Sequence, residues 1–316
     1  MSALRDMMAL QPSVLDGILA DPRPVDAVAD RLAGRRVLLV GTGTSLHAAH
    51  QGASLLRRAG LEAWPVSAAD AALGDPAPAD GDALVLLSHR GWKRATSTVV
   101  ERARAAGVPT IVISGQGSPG EPDVETSPQE TSATFTASHL AALARLAQLA
   151  VAHGADLGRL QDVPAAVAAE LDGPPAGVPV PERLLAYAGT GLNAWTAAEG
   201  ALKIAEAAFM ASEGMSAEAV IHGPAAALAE RDALVCLDGG GPAAARLDDL
   251  AAVVAAHGAA VHRFDRRDLG EPLSIFPLTV VVQKIAAEAA EALGTNPDTM
   301  GRDLPGRGAA WEALDL

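Results

Sequence analysis

The apolar positions of this chain fall into short runs separated by amphipathic stretches. Arg36-Val-Leu-Leu-Val40 is one such run, ending on Gly41-Thr-Gly-Thr-Ser45, and a helical pattern follows to about Arg58. This reads as strand, glycine turn, helix. Glu62–Val66 and Ala83–Leu87 are strand-like, Lys93 to Ala106 is helical, and Pro109–Ser114 is a further buried strand. A long helix from about Phe135 to His153 closes this half. Strands alternating with helices predict a parallel sheet covered on both faces.

The segment Leu171–Pro181 is rich in Pro and Gly and marks a domain boundary. The pattern then restarts. Arg183–Ala188 leads into Gly189-Thr-Gly-Leu-Asn193 and a helix from about Trp195 to Met210. The two GTG turns lie 189 − 41 = 148 residues apart. Strands near Leu234–Leu237 and Ala260–Phe264 flank a helix from about Ala243 to His257, and a last helix runs from about Leu278 to Leu293. Two similar α/β units in tandem follow. The expected division is a helical lead-in at 1–34, domains at 35–170 and 182–294, and a tail at 295–316 that closes on the site.

Composition narrows the classes. Lys plus Arg is 24 and Asp plus Glu is 38, a formal charge of 24 − 38 = −14, which disfavours nucleic acid as a partner. Aromatics are only 3%, so the core must be built from Ala, Leu and Val. Cys236 is the single cysteine and reads as a small core residue, so no intrachain disulfide or cysteine metal cluster forms. No apolar segment reaches the length of a membrane span, and no signal peptide is evident, so the expectation is a cytoplasmic protein with no membrane partner. Only three cations are lysines: Lys93, Lys203 and Lys284.

The candidate chemistry sits on the turns. A glycine turn between strand and helix presents backbone N–H groups to an anion. Thr42, Thr44 and Ser45 add hydroxyls. The dinucleotide fingerprint is incomplete, because its sixth position is Leu46 in the first half and Ala194 in the second. That disfavours a nicotinamide oxidoreductase. A second hydroxyl-rich segment, Glu130–Ser138, opens the long helix, and both segments could meet at the carboxyl ends of the strands. The loop Ser88-His-Arg-Gly-Trp-Lys93 brings Arg90 and Lys93 to the start of a helix. In the second half, Glu199, Lys203 and Glu206 stand at i, i+4 and i+7 on one helix face. Buried there, a carboxylate beside a lysine has a tunable pKa. His222 precedes a Gly-Pro turn.

Glu199-Gly-Ala-Leu-Lys203, Glu206, Glu213-Gly214 and His222-Gly-Pro224 resemble the sugar isomerase (SIS) domain proteins. The likeness is to the isomerase half of glucosamine-6-phosphate synthase and to free-standing phosphosugar isomerases, deaminases and deglycases. Gly43–Ser45, Ser132 and the lead-in Met8–Pro12 extend the resemblance over nearly the whole chain. It implies two flavodoxin-like three-layer α/β/α domains in pseudo-symmetry, usually as a homodimer, and no cofactor or metal. It also implies a pocket for a sugar or sugar phosphate lined by Thr44, Ser45, Ser88 and Ser132. Glu206 would move a proton between C1 and C2, Lys203 would support it, and His222 would assist ring opening. The chain departs from the family at two places. The loop that usually reads Ser-Gln-Ser-Gly-Glu-Thr carries Arg90 and Lys93 at two hydroxyl positions, with a bulky Trp92 that could stack on a sugar. The tail Gly294–Pro305 has no lysine to form an imine, and Arg302 and Arg307 cannot. The expectation is a chain without a glutaminase domain before the first unit. The expected function is an isomerase or deaminase. The alternative is a binding protein that senses a sugar or sugar phosphate.

Overall fold

The structure is a computed structural model that describes residues 2–91 and 93–313. Its contacts divide the chain into two compact units. One comprises Leu10–Glu130 and Phe135–Gly158. The other comprises residues 2–9, Thr131–Thr134 and Arg159–Trp311.

The first unit is a five-stranded parallel sheet, β1 (Arg36–Gly41), β2 (Ala63–Ser67), β3 (Asp82–Leu87), β4 (Thr110–Ser114) and β5 (Val124–Glu125), in the order β2-β1-β3-β4-β5. Its helices are α2 (Gln11–Ala20), α3 (Arg23–Ala29), α4 (Thr44–Arg58), α5 (Ala68–Leu73), α6 (Arg94–Ala105) and α7 (Ala137–Ala152); α1 (Ala3–Ala9) belongs to the other unit. The sheet is covered on both faces, so its central strands are apolar throughout rather than alternating. Leu38, Val40, Leu84 and Leu86 pack on Ala71 of α5 and on Val99 and Ala103 of α6. On α7, thirteen of sixteen residues are buried, including Arg145, whose guanidinium donates to the Asp21 and Glu125 carbonyls.

The second unit repeats the order with four parallel strands, β6 (Leu185–Gly189), β7 (Ser212–Ser216), β8 (Ala233–Asp238) and β9 (Ala260–Asp265), arranged β7-β6-β8-β9. Besides α1 it holds α8 (Val163–Asp172), α9 (Asn193–Ala208), α10 (Ala217–Ile221), α11 (Ala244–Ala256), α12 (Gly270–Leu273), α13 (Ile275–Leu293) and α14 (Arg307–Glu312). Leu185, Tyr187, Val235 and Leu237 face α9 and α13, while Ala186, Ala188, Leu234 and Cys236 face α10 and α11. Both units are therefore α/β/α layers.

Two local rules recur in both units. At the start of each central strand pair an arginine grips a buried aspartate: Arg36 to Asp82 at 2.7 and 2.9 Å, and Arg183 to Asp232 at 2.8 and 2.5 Å. At the opposite end, the helix returns so closely over the strand that a Cβ on Gly41 would strike the Ser45 carbonyl, and one on Gly189 the Asn193 carbonyl. Glycine is obligatory there because no side-chain movement relieves a backbone clash.

The contacts group two stretches of the chain as follows. The lead-in is helical but splits after Ala9, and Arg159–Asp172 joins the second unit. Lys284 gives the physical reason for the latter. Its ammonium, on a side chain 5% exposed, donates to the carbonyls of Glu170 at 2.8 Å, Pro174 at 2.6 Å and Gly173 at 3.3 Å. It thereby satisfies the orphan carbonyls at the end of α8 and binds that helix to α13. Residues 314–316 of the expected tail, and Met1 of the lead-in, lie outside the described residues.

Replacing Lys284 by Met keeps the stem and removes the donor. The unfolding free energy should fall by roughly 2–3 kcal/mol, because charged donors to buried carbonyls are lost. A urea midpoint equal to wild type would show that α8 is held by other contacts.

Candidate active site

In the first unit a small cleft opens at the carboxyl ends of β3 and β4, beside the turn after β1. Thr44, Ser45, Ser88, His89, Ser114, Thr126, Phe135, Ser138 and His139 contribute to its wall. The Gly41–Ser45 turn enters α4 through Gly43, whose φ of +55° suits only glycine. Thr44 and Ser45 occupy the first turn of α4, and Ser138 and His139 the first turns of α7, so two helix N-termini border one cleft. Such termini favour an anionic or hydroxyl-bearing ligand.

One wall is held by an internal network. The Glu130 carboxylate, 5% exposed, accepts the Thr136 and Ser138 N–H groups at 2.8 and 2.9 Å and so caps α7. Its own N–H donates to His89 Nε2 at 3.0 Å. That bond fixes the tautomer, with the proton on Nδ1. Burial, helped by the charge of Arg90, pushes the His89 imidazole down to about 4, so it is neutral near pH 7. The ring meets Phe135 edge-on at 5.1 Å, and the Arg90 guanidinium lies 4.9 Å from the same ring.

The Ser88 hydroxyl donates to the Gly91 carbonyl, and the Ser114 hydroxyl to the Ser88 carbonyl. Both serines thus shape the loop while their oxygens remain acceptors. Gly91 has φ +87°, and a Cβ there would crowd Ser118 Oγ. Arg90 and Lys93 are exposed, and the Lys93 N–H donates to Thr96 Oγ1 at 2.8 Å, so Lys93 caps α6 from outside its first turn. Trp92 lies outside the described residues. Thr42 is exposed on the turn and is not part of the cleft wall. Ser132 is in the other unit, fully buried, where its hydroxyl faces the Pro297 carbonyl at 3.4 Å; Thr134 donates to the same oxygen at 2.7 Å.

The second candidate cluster stands on α9 in the second unit. Lys203 Nζ lies 2.6 Å from Glu206 Oε2 and 3.3 Å from Glu199 Oε1. Side-chain exposure is 0% for Glu199, 1% for Lys203 and 14% for Glu206. Burial alone would lower the Lys203 pKa, but Glu199 and Glu206 outweigh it and hold the ammonium above its ordinary value. Lys203 is therefore a fixed cation and supplies no neutral amine for an imine. The helix is positioned by close packing. Gly200 abuts Tyr187 and Val282, and Gly214 of β7 has no room for a Cβ against the Ala197 carbonyl. His222 caps α10 at its C-terminus, 72% exposed, with Nε2 2.9 Å from Glu218 Oε1. Glu218 also pairs with Arg246 at 2.8 Å.

The structure therefore brings Thr44, Ser45 and Ser88 to one cleft, and Glu199, Lys203 and Glu206 to one cluster. Sequence reasoning missed His89, Ser114, Thr126 and His139. The place of Ser114 at the carboxyl end of a central strand was the available signal. Among the described residues no group of His, Cys, Asp and Glu could hold a metal ion. No helix among them is long and apolar enough to cross a membrane.

Residues 33–152 match the model of the SIS domain family. No curated protein matches the sequence. Among solved structures, the chain is similar to tagatose-6-phosphate ketose/aldose isomerase from Escherichia coli (TM-score 0.78, 18% identity, 95% of each chain covered). It is also similar to glucosamine-6-phosphate deaminase from Thermotoga maritima (0.79, 18%, 94% of this chain and 97% of that). A third is the C-terminal domain of glucosamine-fructose-6-phosphate aminotransferase from Francisella tularensis (0.76, 17%, 94% and 98%). These likenesses establish a two-domain SIS-like fold across the described chain.

Two measurements check the electrostatics. Lys203→Met leaves two buried carboxylates without their cation and should cost about 3–5 kcal/mol; adding Glu199→Gln should restore part of that. A Lys203→Met chain as stable as wild type would contradict the buried triad. His89 and His50 are both lowered from 6.5 to about 4. The unfolded chain then binds more protons between those values, so stability is full above pH 6.5 and is lost as pH falls toward 4. His89→Gln should flatten this slope in urea titrations; an unchanged slope would place the titration elsewhere.

Proposed function

We propose that this chain binds a sugar or sugar phosphate and either interconverts its aldose and ketose forms or deaminates an aminosugar phosphate, with Glu206 as base. The graded burial of the α9 triad carries the reading. Glu199 and Lys203 are sealed, and Glu206 alone keeps side-chain surface that a ligand can reach. A carboxylate with a buried ammonium 2.6 Å away is placed to accept a carbon-bound proton.

In the proposed reaction the Glu206 carboxylate takes the C2 proton of the open aldose and leaves an enediol. It returns the proton to C1, while the hydroxyl proton passes from O2 to O1. For an aminosugar, the same shift turns the C2 amine into an imine that water hydrolyses, releasing ammonia. Lys203 acts as an electrostatic partner, and Glu199 holds Lys203. The ligand is held by Thr44, Ser45 and Ser88, with Thr42, Arg90, Lys93 and Ser132 as further contacts. Exposed His222 assists ring opening, and the working form is a homodimer. The likeness to a tagatose-6-phosphate isomerase and a glucosamine-6-phosphate deaminase supports this substrate class.

The test is exchange of carbon-bound hydrogen in deuterated water, at C1 of fructose 6-phosphate and at C2 of glucosamine 6-phosphate, with their unphosphorylated forms alongside. Glu206→Gln should lower exchange about 100-fold or more with the fold unchanged. Exchange that survives this substitution would remove Glu206 as the base. Thermal stabilisation by one sugar without exchange in wild type would assign the chain to ligand sensing.

A further inference from the structure

Three walls of the first-unit cleft meet at His89. The residue stands on the loop after β3, between Ser88 and Arg90. Its carbonyl accepts the Gly115 N–H at 3.0 Å and lies 3.3 Å from Ser114 Oγ, which ties its backbone to the end of β4. Its ring accepts the Glu130 N–H through Nε2 at 3.0 Å, and the Glu130 carboxylate caps α7 at the Thr136 and Ser138 N–H groups. Little space is left beside the ring. A Cβ on Gly115 would come within 2.6 Å of His89 Cε1 and 2.7 Å of Nδ1. Gly115 does not have a positive φ, so glycine is needed there for room and not for backbone conformation. The orientation of the ring carries a cost. With Nε2 committed as an acceptor the proton is on Nδ1, and Nδ1 is buried with no acceptor among the described residues. A buried N–H without a partner is destabilising, so a hydrocarbon ring would serve packing better. What histidine adds is a lone pair aimed at Glu130.

We propose that His89 is a positioning residue for the cleft: it fixes the spacing between the Ser88–Arg90 loop and the head of α7, and through that spacing sets the affinity for the sugar ligand. Resting on the sugar-binding reading above, this role concerns binding. His89 acts through Glu130 and the loop, not on the reacting carbons, and Glu206 stands on α9 in the other unit. Loss of the Nε2 acceptor leaves the Glu130 N–H unpartnered and frees two cleft walls from each other.

The experiment measures KM and kcat for hydrogen exchange with fructose 6-phosphate in full-length wild type, His89→Leu, His89→Gln and Gly115→Ala. His89→Leu removes the acceptor, and Gly115→Ala keeps it but displaces the ring. Both should raise KM about tenfold and leave kcat within about twofold of wild type. His89→Gln, whose amide oxygen can take the place of Nε2, should recover most of the wild-type KM. A wild-type KM in His89→Leu overturns the assignment. So does an equal rise in His89→Leu and His89→Gln, or a fall in kcat at unchanged KM. Amide hydrogen–deuterium exchange on the same chains without ligand reads the link independently of the sugar reaction. The Thr136 and Ser138 amides should exchange about tenfold faster in His89→Leu than in wild type or His89→Gln, with α4 amides alike in all three. Equal rates at Thr136 and Ser138 overturn the assignment. If wild type shows no reaction with any sugar, the proposed function falls, and the amide rates alone decide the role of His89.

Discussion

An ammonium buried to 1% exposure inside a helix constrains everything around it. Lys203 can stay charged there only because Glu199 and Glu206 stand four residues before and three after it, on the same face. That arrangement fixes the rotation of α9 about its axis. The rotation in turn decides which residues must be small. Gly200 meets Tyr187 and Val282, and Gly214 meets the Ala197 carbonyl. Gly200 and the charged triad lie on one helix packed closely against its neighbours. The geometry of the three charges is thus set by packing, which is the requirement for a carboxylate that must act at a defined position.

The acidity of the chain sets a second constraint. Its many arginines are largely committed to aspartate and glutamate partners, as in Arg36 with Asp82, Arg183 with Asp232, and Arg263 and Arg267 with Asp238. Positive potential for a ligand then comes from backbone N–H groups at helix starts, which add no net charge.

Much of this was legible in the sequence. The strands β1, β3, β4, β6 and β8 are continuous apolar runs because both sheet faces are covered, and the two GTG turns announced their helices. Thr44, Ser45 and Ser88 could be read from their turns, and Glu199, Lys203 and Glu206 from helical spacing. What escaped reading depends on tertiary partners. The strand β7, Ser212-Glu-Gly-Met-Ser216, has no apolar pattern; it pairs with β6 while Gly214 presses against α9. Nothing local in α8 shows that Lys284, over a hundred residues later, grips its final carbonyls. His139 and Thr126 reach the cleft only because α7 and the segment after β5 come together there.

The scarcity of lysine has a practical consequence. Two of the three side-chain amines are enclosed, Lys203 by carboxylates and Lys284 by carbonyl oxygens. Lys93 alone is exposed. An amine-directed fluorophore applied to the folded chain therefore has a single side-chain target, on the loop after β3 that leads into α6. The protein comes with a nearly unique attachment point for an optical reporter beside its cleft, and labelling of the other two lysines becomes a direct chemical count of molecules that have opened.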